Sequence, residues 1–349
     1  MRVEKFSGSR SEWNRFVKAN GGGIKQSYEW GEFRQGLGWK VHRIVVSDKD
    51  GICLTGSVLQ KPLPLGQCFF YCPEGPVVAG GEWNQRANQR AFEQFSEFLK
   101  QLAKSENALF LKIDPEVVAD EFPLKWLGGL NFVDSPEDIQ PAAITHVDLT
   151  PPEDDILAAM KQKGRYNVRY AIKKGVTVRS GTSEADLDTF YRLHEETSQR
   201  QGITYRSKDY YAAFRAHFMD QPDYAKFFIA ELNGEPLAAT LVSFFGPESI
   251  YLYGGSSLQD RNVHAAYLVQ WEGMKEAKRR KCAFYNMTGI AATDDPNDSW
   301  AGLRQFKLKF GGSELHLIGA RDYRYEPLRY TLFTQADRVR RFVAKRLRR

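Results

Sequence analysis

One order of secondary-structure signals occurs twice in this chain of 349 residues, and that repetition restricts the available folds more than any other feature. In the first half, residues 40–47 alternate like a strand, Asp50-Gly51 signals a hairpin turn, and residues 52–60 resume the strand. Residues 68–72 begin another strand, which breaks at Pro73-Glu-Gly-Pro76. A helical stretch follows over about 83–105, then a short strand over 109–113 that closes at Asp114-Pro115. The second half repeats the series: strand 225–232, turn Asn233-Gly234, strands 236–245 and 249–253, a break at Gly254-Gly255, a helix over about 265–280 and a strand over 282–288. The pattern predicts a duplicated α+β unit, each copy a curved sheet packed on helices. Pro136, Pro141, Pro151 and Pro152 mark a boundary near residue 150. Two like units side by side are expected to leave a cleft, a common place for a ligand.

Charge is unevenly placed. Lys plus Arg total 49 against 43 Asp plus Glu, a net +6. The last twelve residues, 338–349, hold seven basic residues and no acidic one, so the rest of the chain stands at 42 against 43. Val339, Phe342, Val343 and Leu347 fall at helical spacing, and the tail reads as a basic amphipathic helix. It suits an anionic membrane surface or an RNA backbone, or it packs its apolar side on its own domain. No apolar run approaches the ~18 residues a spanning helix needs. No secretory signal is expected from Met1-Arg-Val-Glu-Lys-Phe6. Cys53, Cys68, Cys72 and Cys282 fit neither a disulfide framework nor a zinc pattern, and the six scattered histidines form no metal-binding pair. The expectation is a soluble cytoplasmic protein with no metal or cofactor.

Three stretches carry candidate chemistry. In Trp300-Ala-Gly-Leu-Arg-Gln-Phe306-Lys307-Leu-Lys-Phe310-Gly-Gly312, a Lys flanked by aromatics and followed by paired glycines sits where a fixed cation could stabilise an oxyanion and the backbone could approach a ligand. Alternation alone favours a different reading: a strand with Phe306, Leu308 and Phe310 inward and Lys307 and Lys309 toward water. Arg206 and Tyr210, four apart at a predicted helix start with Ser207 as its cap, would share a face that can cradle phosphate. The alternative is a surface Arg beside a packed Tyr. The third stretch holds Lys161, Lys163, Arg165, Arg169 and Lys173. Arg165, Arg169 and Lys173 make a basic stripe with Val168 and Ile172 behind it, a surface for a polyanion or simply a solvated helix face.

Taken together these segments resemble the Fem family (FemA, FemB and FemX, the FemABX group). The resemblance runs over most of the chain through Gln26-Ser-Tyr-Glu-Trp30-Gly-Glu-Phe-Arg34, Gly38-Trp39, Glu74-Gly-Pro76, Lys112-Ile-Asp114-Pro115 and the basic helix of 161–175. It continues through Arg200-x-Gly-Ile-x-x-Arg206-x-x-x-Tyr210, Gly234-Glu-Pro-Leu-Ala-Ala-Thr240, Tyr251-Leu-Tyr-Gly-Gly-Ser256 and Gly302-Leu-x-x-Phe306-Lys307-x-x-Phe310-Gly.

The resemblance implies two tandem acetyltransferase-like (GNAT) domains, 1–148 with 317–349 and 149–316, and the compact FemX build without a helical arm. It implies transfer of an amino acid from aminoacyl-tRNA to the stem-peptide amine of a peptidoglycan precursor, UDP-MurNAc-pentapeptide or lipid II. Arg34, Arg206, Tyr210 and Tyr251 then correspond to acceptor-binding positions, with Asp114 a carboxylate near them, and Phe306 and Lys307 to the place of the donor ester. The basic helix would meet tRNA, and Arg338, Arg340, Arg341, Lys345 and Arg346 of the tail would meet RNA or the inner face of the membrane. His264 stands where coenzyme A-dependent relatives carry a phosphate-loop glycine, which disfavours an acyl-CoA donor. Two other readings share parts of this pattern: an aminoacyl-tRNA–protein transferase, and a non-catalytic RNA- or membrane-binding module.

Overall fold

The computed structural model describes residues 1–202, 205–220 and 222–347, with residues 342 and 344–347 given by their backbone alone. The chain divides into two compact units, Met1–Ala142 with Leu317–Arg349, and Ala143–His316.

In the first unit, β1 (Arg2–Lys5), β2 (Lys40–Asp48), β3 (Gly51–Pro62), β4 (Cys68–Cys72), β5 (Val77–Val78), β6 (Ala108–Ile113) and β7 (Phe132–Asp134) form one sheet. It is completed by β15 (Arg321–Arg324), in the order β1-β2-β3-β4-β6-β15-β7 with β5 on β3. β4 and β6 run parallel, while the neighbouring ladders are antiparallel. Parallel neighbours need a crossover rather than a hairpin, and here it contains α3 (Arg86–Glu106). Ala91, Phe92, Phe95, Leu99 and Ala103 recur at helical spacing on α3 and bury against Ile44, Val46, Leu54, Val58 and Phe70 of the sheet. The unit also carries α1 (Arg10–Ala19), α2 (Tyr28–Gly36), α4 (Leu124–Gly129) and the C-terminal α11 (Pro327–Leu347). Asp48 pairs with Gly51, so the β2–β3 loop residues are Lys49 and Asp50, one position before the expected turn. The Asp48 carboxylate accepts the Asp50 N–H at 2.8 Å and so sets the turn early.

The second unit repeats the scheme with β8 (Ala143–Asp148), β9 (Thr177–Gly181), β10 (Ala225–Leu232), β11 (Glu235–Phe245), β12 (Glu248–Ser256), β13 (Phe284–Gly289) and β14 (Ser313–His316). Their order is β14-β8-β13-β12-β11-β10-β9. β12 and β13 are again the parallel pair, joined through α9 (Ala265–Arg279). The other helices are α5 (Glu153–Ala159), α6 (Gln162–Lys173), α7 (Glu184–Gln201), α8 (Lys208–Phe218) and α10 (Ala301–Lys307). Val168, Ala230, Val242, Val269, Tyr285 and Phe310 meet in its core. The β10–β11 hairpin turns on Asn233 (φ +51°) and Gly234 (φ +82°), two left-handed positions whose twist matches the strands.

Three expectations are corrected. Residues 143–148, expected in the first domain, belong to the second, where β8 pairs with β13 and β14. Pro151 and Pro152, expected to mark the boundary, lie inside the second unit and lead directly into α5, with Pro152 as its N-cap. The alternation over 306–310 does not make a strand: α10 runs into a 3₁₀ turn, Leu308–Phe310, and buries Arg304, Lys307 and Phe310 at helical spacing. Helix α8 ends at Phe218 and β10 begins at Ala225, so no helical arm is inserted between them. Among the described residues no helix is long and apolar enough to cross a membrane.

Candidate active site

Lys307 is the last residue of α10 and only 3% exposed. Its ammonium donates to the Gly289 carbonyl at 2.7 Å and to Thr288 Oγ1 at 3.0 Å, both at the end of β13. Nζ also lies 5.7 Å from the centre of the Tyr251 ring on β12. The ladder between β12 and β13 covers only Glu248–Ile250 against Phe284–Asn286. Past that point β12 stays on β11, Gly289 pairs with Ile144 of β8, and the two parallel strands diverge. Lys307 therefore binds the free end of one strand of a split parallel pair. Burial pulls its pKa down from 10.5 to about 7, because among the described residues no carboxylate offsets the lost hydration. The same burial pushes Tyr251 up to about 12.

Local backbone geometry fixes this arrangement. Thr288 holds φ at +61°, a strained value for a β-branched residue, and its N–H donates to Asn286 Oδ1 at 2.7 Å. Phe306 packs on Tyr267 and Phe310, with ring centres 5.1 and 5.3 Å apart, which anchors α10 to α9 and the core. Gly311 and Gly312 were expected to free the backbone for a ligand; they instead let the chain pack on itself. A Cβ on Gly311 (φ +81°) would meet the Ala159 carbonyl at 2.5 Å, and one on Gly312 would meet Thr145 Oγ1 at 2.5 Å. Neither Thr288 nor Gly289 stood out in the sequence, since a positive φ on threonine leaves no local signature.

Arg206 and Tyr210 are brought together, with the guanidinium 5.4 Å from the centre of the Tyr210 ring. Ser207 occupies the N-cap of α8 as expected, although its side chain makes no cap hydrogen bond. Arg206 is exposed and precedes the helix, while Tyr210 is half-buried with its hydroxyl 3.5 Å from that of Tyr253. Behind them lies a buried pair that sequence reading missed. His194 Nδ1 donates to the Gly254 carbonyl at 3.0 Å, which leaves Nε2 to accept from the Tyr211 hydroxyl at 3.0 Å.

Arg34 and Asp114 belong to the first unit. The Arg34 guanidinium stacks over Trp39 at 4.2 Å. Asp114 is buried, accepting from the Tyr71 hydroxyl at 2.7 Å and the Glu74 N–H at 2.8 Å. The Tyr71 hydroxyl in turn accepts from Gln140, and Lys25 pairs with Glu74 and Gln140. Desolvation raises Asp114 to about 7 despite those two donors. Here the parallel strands stay paired to their ends, Cys72 against Ile113, unlike the split pair of the second unit.

On α6 the buried face is Gly164, Asn167, Val168 and Ala171, so Ile172 lies outside rather than behind the basic stripe. Lys161, Lys163, Arg169 and Lys173 are exposed. Arg165 is half-buried, and its Nη1 donates to the carbonyls of Ala158 and Met160 at 2.7 and 3.0 Å. It closes the end of α5 rather than standing free in the stripe. Tyr166 and Tyr170 stack at 5.6 Å along the same helix. His264, in the left-handed region at φ +59°, caps α9 and packs between Tyr170 and Tyr267. In the tail, Val339 and Val343 face solvent rather than their own domain, and Arg338 and Arg340 are exposed. Arg341 pairs with Glu137 and Asp337. The side chains of Lys345 and Arg346 lie outside the described residues.

The FemAB family profile matches residues 9–126, 121–236 and 233–338. The chain belongs to the FemAB family. It is 25% identical to the lipid II:glycine glycyltransferase of Staphylococcus haemolyticus (strain JCSC1435), over 95% of this chain and 96% of that one. The crystal structure of FemX shares the fold with a TM-score of 0.86 at 24% identity, over 94% of this chain and 99% of that one. A tandem GNAT protein from the clavulanic acid biosynthesis pathway superposes with a TM-score of 0.51 at 12% identity, over 82% and 83% of the two chains. This FemAB protein therefore contains the paired acetyltransferase-like architecture expected from its repeated element order.

Proposed function

We propose that this FemAB aminoacyltransferase of peptidoglycan-precursor assembly takes its amino acid from aminoacyl-tRNA and delivers it to the stem-peptide amine of a lipid II-type acceptor. The amine lone pair attacks the ester carbonyl, whose oxygen takes up the displaced electron pair. Collapse of the adduct breaks the carbon–oxygen bond to ribose. The nitrogen loses one proton and the ribose oxygen gains one, leaving an amide and free tRNA. The ester is already activated, so the reaction needs no nucleotide hydrolysis.

The observation that carries this reading is the buried Lys307 at the split between β12 and β13. Two of its three ammonium protons are held by Gly289 and Thr288; among the described residues no hydrogen bond takes the third, which is proposed to meet the oxyanion. A preorganised donor in a dry site is worth about 10²–10³ in rate. Phe306 packs the turn that carries it. Arg206 and Tyr210 offer a guanidinium and a hydroxyl to the acceptor's phosphates, and Arg34 and Tyr251 are proposed as further acceptor contacts, whereas Asp114, with both oxygens held by Tyr71 and the Glu74 amide, serves to position its neighbours. Exposed Lys161, Lys163, Arg169 and Lys173 beside stacked Tyr166 and Tyr170 give RNA both cations and rings. No cofactor enters the reaction. The lipid II:glycine glycyltransferase name of the relative supports a lipid-linked acceptor and glycine as the first donor residue to try.

The deciding experiment incubates pure protein with pools of charged tRNA and with lipid-linked or UDP-linked acceptor, then weighs the products. The expected result is one added aminoacyl residue on the acceptor that depends on charged tRNA. Transfer from acyl-CoA instead, or onto protein N-termini, would overturn the proposal.

A further inference from the structure

Helix α11 has two faces of opposite character. Tyr330, Phe333, Thr334 and Asp337 recur every three to four residues and lie against the first unit. The Tyr330 hydroxyl donates to Asp322 Oδ2 at 2.8 Å, and the rings of Tyr330 and Phe333 sit 5.2 and 5.8 Å from Phe110. On the other side Leu328, Leu332, Val339 and Val343 are 84, 72, 61 and 47% exposed. Spacings of four, seven and four keep these side chains in one stripe. Its own unit therefore does not cover this stripe.

Charge identifies the partner. Within Pro327–Leu347 stand six basic residues and one acidic. The acid, Asp337, is turned inward and held by Arg340 at 2.6 Å and by Arg341. Arg329, Arg338 and Arg340 are exposed beside the stripe. An aliphatic stripe flanked by cations fits the boundary of an anionic bilayer, where acyl chains take the side chains and lipid phosphates take the guanidinium groups. An RNA backbone would use the cations and leave four aliphatic side chains in water. A second copy of the helix would set cation against cation.

We infer that α11 lies on an anionic lipid surface, inserting Leu328, Leu332, Val339 and Val343, and so holds the enzyme at the membrane that carries its acceptor. The inference rests on the lipid-linked reading of that acceptor, but it is tested without catalysis. The full chain is sedimented with phosphatidylcholine vesicles, either pure or containing about 30 mol% phosphatidylglycerol. Binding is expected with the anionic vesicles, about tenfold or more weaker with the neutral ones, and weakened by salt. The Leu332→Ser/Val339→Ser variant should lose about tenfold in partition while its rate on a water-soluble acceptor is unchanged. Equal binding to both vesicle types would overturn the inference, as would no binding or an unaffected double variant. A wild-type dimer that the double variant dissolves would replace the bilayer with a second copy. Vesicle binding by a protein that transfers no amino acid would leave this inference standing and the proposed reaction refuted.

Discussion

At the residue scale, Lys307 is held at a pKa of about 7 in the folded chain against 10.5 in the unfolded one. Two consequences follow from that gap. If its ammonium stabilises the oxyanion, the gain from deprotonating the acceptor amine, whose reference value is about 10.4 for a lysine side chain, is cancelled once Lys307 also deprotonates. The logarithm of kcat/KM should rise with a slope of about one below pH 7 and flatten above it. In Lys307→Gln the rise should continue through pH 8.5, at a rate about 10²–10³ lower. Initial-rate profiles check this; a flattening that survives the substitution would assign it to another group. Stability carries the second consequence. Between about pH 7 and 10.5 the unfolded chain binds the Lys307 proton and the folded chain does not, so stability rises with pH across that window. The burial penalty present below pH 7 is on the order of 5 kcal/mol. Wild type should therefore gain stability relative to Lys307→Met between pH 7 and 9.5, read as the difference in their denaturant midpoints. A difference independent of pH would mean that Lys307 titrates normally.

At the element scale, the sequence was most informative where the signal is local. Asn233-Gly234 sets a hairpin by itself, and the α3 stripe of Ala91, Phe92, Phe95 and Leu99 can be read one turn at a time. It was least informative where two periods coincide. Phe306, Leu308 and Phe310 fit a strand as well as they fit a helix followed by a 3₁₀ turn, and only the close approach of Gly311 and Gly312 to α5 and β8 decides between them. That approach involves residues more than a hundred positions away, beyond any window of sequence. The same limit hid the orientation of Arg165. Its side chain closes α5, so Arg165→Ala should cost about 1–3 kcal/mol of stability and change tRNA affinity little. An Arg169→Ala/Lys173→Ala variant should keep its stability, bind tRNA more weakly, and lower the salt dependence of binding by up to about 0.9 per phosphate contact removed. Thermal melts and filter binding at several salt concentrations separate the two. If the effects were exchanged, the stripe would run through Arg165 as its spacing alone suggests.

For the molecule as a whole, duplication supplies two parallel strand pairs, and the two have diverged in how their ends are used. In the second unit β12 and β13 separate and a lysine enters with no carboxylate among the described residues to neutralise it. In the first unit β4 and β6 stay paired to Cys72 and Ile113, and the polar groups beyond them bond to one another: Asp114 with Tyr71 and the Glu74 amide, Lys25 with Glu74 and Gln140. The element order revealed the duplication but could not reveal this asymmetry, because it depends on where two ladders stop. The contrast predicts opposite pH dependences for the two buried groups. Desolvation holds Asp114 at about 7 against 3.8 in the unfolded chain. Between those values the folded state binds the extra proton, so stability falls as pH rises through the window. Wild type should accordingly lose stability relative to Asp114→Asn from pH 5 to pH 8, the reverse of the Lys307 comparison. Denaturant midpoints of both proteins at the two pH values measure it. A gap that stays constant, or widens in favour of wild type toward pH 8, would show that Tyr71 and the Glu74 amide hold Asp114 ionised throughout, as a carboxylate ready to accept a proton rather than one that already carries it.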